Sequence, residues 1–144
     1  AFLPKLPRDL RVAIEFRQRG WVYDGVLALL AEHDVALALT DARWIPRKRM
    51  LQLASTPTAN FAYVRWMGHD RSIVDYSRLQ VDRTRELEAW STSLWGMASR
   101  GTTVFGYVNN HFAGHSPASA RELQRLLGQK PVAPEVLGEQ MSLF

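Results

Sequence analysis

Residues 103–108 are apolar and strand-like, and they run directly into Asn109, Asn110 and His111. An apolar strand gains nothing from three polar side chains at its carboxyl end unless something binds there. The two carboxamides offer donors and acceptors suited to sugar hydroxyls, base edges or backbone amides. Only one of them can face inward if the strand runs on, and the other then holds the loop. His111 can move protons or cap the loop. Glu15 and Arg17, two positions apart, share one face of an earlier strand. Glu15 there can act as a base, a metal ligand or a hydroxyl acceptor, or only as the ion-pair partner of Arg17. Arg65 lies between apolar Val64 and Trp66, which should face helices and leave Arg65 inside with Tyr63 and Met67. An inward arginine needs a carboxylate or an anionic ligand. Glu15, Asp41, or a ligand phosphate or carboxylate would serve. Gly68 then permits a turn or a close approach to a ligand. Asp41 ends its own apolar run and either joins Glu15 or forms a turn.

The candidates are thus Glu15, Asp41 and His111 for catalysis, and Arg17, Arg65, Gly68, Tyr76, Asn109 and Asn110 for ligand binding. Tyr76 enters as the lone aromatic of a long polar connection, 71–83; long connections in compact domains are often functional. His69, His111 and His115 with Glu15 and Asp41 are metal-ligating types. They lack a two-histidine helical motif or tight ligand spacing, so a divalent metal is not favoured and no cofactor is identified.

Elements able to position these residues are legible in the hydrophobic pattern. Residues 10–16 alternate, with Val12, Ile14 and Phe16 on one face and Arg11, Ala13, Glu15 and Arg17 on the other. A helix is expected over 23–32. The run 35–40 is almost continuously apolar, as in strands of parallel sheets buried on both faces. A basic stretch, Arg43 to Arg49, reads as a solvated face, although it could meet a phosphate backbone. A third strand spans 61–67. A helix over 84–99 buries Leu87, Trp90, Leu94, Met97 and Ala98, and Trp21, Trp90 and Trp95 read as packing residues. The fourth strand spans 103–108. Ser116 is expected to cap a last helix, with Pro117 at its first position and Gly128 stopping it. Strand alternating with helix implies an α/β fold with a parallel sheet. The turn after the first strand, Arg17 to Trp21, is not the Gly-rich phosphate loop of a doubly wound sheet. Polar residues at the ends of several strands fit instead the mouth of a (β/α)8 barrel. The expected organisation is half a barrel over 1–130 and a tail over 131–144.

Composition sets further bounds. An apolar fraction of 47% with 22% charged residues is ordinary for a globular protein. A net charge of +4 tilts the chain toward anionic partners, nucleic acid among them. There is no cysteine, hence no disulfide framework and no thiolate metal site, which fits a reducing cytoplasm. No stretch is long and apolar enough to suggest a membrane span. The sequence starts at Ala1 rather than Met, and a partial chain is expected.

Taken together, Ala13 to Arg17 followed by Trp21, then Asp41, Tyr63 to Arg65 with Gly68, Tyr76, and Asn109 to His111 with Gly114, Pro117 and Ala120 resemble the YecE-like family of uncharacterised proteins. The resemblance implies a (β/α)8 barrel of roughly twice this length, of which this chain matches the last four strand–helix units. It leaves hydrolase or isomerase chemistry open and names no reaction. The family usually carries histidine where this chain has Gln18 and Met67, so a mechanism using those imidazoles is not expected here. Half a barrel leaves two open sheet edges. The partner expected is therefore a missing N-terminal half or a second copy, and the chain alone is expected to be inactive.

The last residues, Gln140, Met141, Ser142, Leu143 and Phe144, resemble the short peptide by which bacterial replication and repair proteins dock on the sliding clamp. Leu143 and Phe144 would fill an apolar pocket, with Met141 beside them and Gln140 bonding at its rim. The alternative is that this apolar end packs on its own barrel.

Overall fold

The computed structural model describes residues 2–69 and 72–133. Four strands, β1 (Ala13–Ile14), β2 (Ala36–Ala42), β3 (Phe61–Gly68) and β4 (Thr103–Val108), form one parallel sheet in chain order. Helices α1 (Asp24–Glu32), α2 (Arg47–Leu53), α3 (Thr84–Ala98) and α4 (Ser116–Leu126) alternate with them. Sequential order means that every crossover steps the same way, and right-handed crossovers then place all helices on one face. A doubly wound sheet reverses its strand order midway. This sheet does not, and its arrangement is that of half a (β/α)8 barrel.

The helix-facing side is the core. Leu37 and Leu39 of β2 and Val64 and Trp66 of β3 are buried there with Leu87, Trp90, Leu94 and Met97 of α3. Trp66 and Trp90 meet edge to face, their ring centroids 5.7 Å apart. Gly106 makes room for this pair, since a Cβ added there would lie 2.9 Å from the Trp66 ring.

The opposite, inner face is layered. The register pairs Thr40 with Arg65 and Arg65 with Tyr107, so these side chains share it. At its lower end the Arg11 guanidinium lies 5.3 Å from the Phe105 ring centroid, and Phe105 meets Phe61 edge-on at 6.0 Å. Tyr63 and Tyr107 follow at 5.1 Å. Arg65 and Glu15 close the series at the carboxyl end of the sheet. In a closed barrel such a face fills the interior; here Tyr107 is 53% exposed.

Several expectations are corrected. Only Ala13 and Ile14 of the first strand pair with β2. β2 does not stop at Asp41 but runs through it to Ala42. The basic stretch leads into α2, which buries Met50 and Leu53. Ala98 is exposed rather than part of the buried stripe. Ser116 is the first residue of α4, not its cap. Among the described residues, no helix is long and apolar enough to cross a membrane.

Candidate functional site

Glu15 leaves β1 on the inner face and is shared by two arginines. Its Oε2 accepts from Arg65 Nη1 at 2.5 Å, and its Oε1 from Arg17 Nε at 3.2 Å. The Arg65 and Glu15 side chains are 31% and 15% exposed, so the pair sits at a solvent boundary. Arg17 is more open and stacks its guanidinium 5.3 Å from the Trp44 ring centroid. With Phe16, Gln18 and Trp21, these three charged residues line one open hollow. Thr40, beside Arg65 in the register, is fully buried, and its hydroxyl has no hydrogen-bond partner. The sequence assigns no role to Thr40, and it reads Trp21 as a packing residue. The strand alternation that places Arg65 inward also places Thr40 there; the position of Trp21 depends on a loop and leaves no such trace.

Asp41 does not join this group. It is in phase with Leu37 and Leu39 and turns toward the helices, where it is completely buried. Its carboxylate accepts from Trp90 Nε1 at 2.8 Å and from Arg47 at 2.5 and 3.1 Å, and His69 Nε2 lies 3.3 Å away. Burial works to lower the Arg47 pKa, but the hydrogen bond and charge of Asp41, with Glu86 beyond, leave it raised. Asp41 therefore clamps α2 and α3 to the sheet.

The remaining candidates gather at the ends of β3 and β4. The Asn109 carboxamide oxygen accepts from the His111 amide, and that of Asn110 from the Ser116 amide, both at 2.9 Å. Both asparagines thus hold the loop, and Asn110 supplies the helix cap expected of Ser116. Gly68 has φ +76°, and an added Cβ would collide with the His111 carbonyl, so it permits backbone approach within the protein. Tyr76 sits between two imidazoles: its hydroxyl lies 3.1 Å from His111 Nε2, and its carbonyl 2.8 Å from His115 Nδ1. His111 Nδ1 is shielded and has no partner. Nearby, Asp75 and Asp82 are held below the ordinary carboxylate value, chiefly by the Ser77 and Thr84 hydroxyls respectively and then by the amides of the same residues.

Among the described residues no three His, Asp or Glu side chains converge so as to hold a metal ion. A separate apolar cleft between α3, α4 and β4, lined by Trp66, Leu94, Trp95 and Leu123 among others, carries no titratable side chain. The tail residues Gln140, Met141, Leu143 and Phe144 lie outside the described residues.

A family model described as "Protein of unknown function DUF72" matches residues 1–141. No curated protein matches the chain. Among solved structures, it is similar to a DUF72 family protein from Enterococcus faecalis, with 20% identity, a TM-score of 0.64, and coverage of 85% of this chain and 50% of that one. A DUF72 family protein from Thermotoga maritima is 19% identical with a TM-score of 0.64, covering 84% of this chain and 47% of that one. The chain spans about half the length of these solved relatives.

Proposed function

The chain belongs to the DUF72 family, and on that premise we propose that its sheet supplies part of a barrel mouth that binds an anionic ligand, with Arg65 and Arg17 as the cations that hold it. One observation carries this reading: two guanidiniums share a single carboxylate, Glu15, at the edge of solvent. The surplus positive charge is available to a phosphate or carboxylate, for which the planar guanidinium fork is suited. Glu15 is the carboxylate best placed to accept a ligand hydroxyl or act as a base. Asp41 is committed to Trp90 and Arg47 and has no part in this reading.

A thermal-shift series tests it. A ligand that binds only the native state raises the melting temperature by mass action. Inorganic phosphate, sugar phosphates and nucleotides should raise it, uncharged sugars should not, and Arg65→Met should shrink the rise. Failure of every anion to stabilise the native chain would contradict the reading.

A further inference from the structure

We propose that the ligand of this hollow is a nucleoside phosphate, its base stacked on Trp21 and its phosphate held by Arg65 and Arg17; this rests on the anion reading above and narrows it. Trp21 lies in the same lining as both arginines and Glu15. It is 54% exposed. An indole left this open forgoes burial that the core would offer it. Its ring is nevertheless backed by a second aromatic. It ends a short 3₁₀ turn, Arg19–Trp21, that closely follows the segment after β1 carrying Glu15 and Arg17. Its amide donates to the Gln18 carbonyl at 3.1 Å. Phe16 stacks against the indole with ring planes 12° apart and centroids at 6.3 Å. The outcome is a flat, oriented aromatic surface beside two cations.

Gln18 shares the lining. Its carboxamide offers an acceptor and two donors, the set that reads the edge of a base. Glu15 can accept from a sugar hydroxyl between the two ends. A sugar phosphate would satisfy the arginines and Glu15 but would leave Trp21 and Gln18 without their best partners. A base joined to a sugar and a phosphate uses all of them.

Calorimetric titration of the whole chain with adenosine monophosphate, ribose phosphate and inorganic phosphate tests the assignment. Adenosine monophosphate should bind at least about tenfold tighter than ribose phosphate, the gain expected from stacking one base. Trp21→Ala should remove that preference and leave ribose phosphate affinity unchanged, while Trp21→Phe should keep most of it. Equal binding of the two compounds, or a preference that survives Trp21→Ala, overturns the proposal and leaves the anion reading standing. Absence of binding by all three anions overturns both.

Discussion

Arg65 reaches across β2 to Glu15, its Nη1 2.5 Å from a carboxylate oxygen just past the end of β1, fifty residues earlier. Thr40 of the intervening strand is fully buried on the same face. The pair is thus both a brace across three strands and a competition: any anion that takes Arg65 does so against Glu15. That competition makes the site measurable.

Thr40→Val should stabilise the free protein by about 1 kcal/mol, because it removes a buried hydroxyl that makes no bond while keeping the side-chain shape. Urea denaturation should show a higher midpoint at unchanged slope. A loss of stability of that size would show that the hydroxyl is bonded in the folded chain.

Asp41→Ala should cost about 3 kcal/mol, since it strands the Trp90 indole N–H and the Arg47 guanidinium together. Water reaches the Arg47 side chain, which is 28% exposed, and softens the loss. Anion affinity of the folded fraction should not change. A variant of normal stability that binds anions poorly would place Asp41 in the site.

Acid should loosen the connection that carries Tyr76. Asp75 and Asp82 titrate below their ordinary value of 3.8 in the folded chain. A depressed carboxylate contributes stability above its unfolded pKa, and that contribution is lost as pH falls through the folded value. Hydrogen-exchange protection of the Ser77 and Thr84 amides, which these carboxylates accept from, should therefore fall as the pH drops below the ordinary carboxylate value of 3.8. Protection that stays constant over this range would contradict the assignment.

The open inner face predicts association. Tyr107 is half exposed, and β1 and β4 are unpaired edges of the described sheet. Sedimentation velocity of the isolated chain should show concentration-dependent dimers or larger species. A monodisperse monomer across the micromolar range would count against it.

The sequence reveals the elements better than the site. Strands β2 to β4 follow from apolar runs and the buried stripe of α3, Ala98 apart, from helical spacing, and the apolar neighbours of Arg65 place it inward correctly. α2 escapes because seven residues with two buried positions give too little periodicity beside a run of basic residues. Asp41 is misplaced for a different reason. Its phase with Leu37 and Leu39 does indicate the helix side, but its partner Trp90 lies forty-nine residues away and leaves no local mark. Asn109 and Asn110 read as ligand groups, yet both satisfy backbone amides of their own loop, a role that asparagine side chains often take in turns. Trp21 escapes because its exposure is set by a loop conformation rather than by a periodic pattern.

Phosphate affinity of two variants, read by calorimetry against the unaltered chain, tests the central claim most directly. Arg65→Met should weaken binding about tenfold or more, the value of one charge-assisted hydrogen bond, and Glu15→Gln should tighten it by freeing both arginines from their shared carboxylate. Unchanged affinity in both variants would contradict the account.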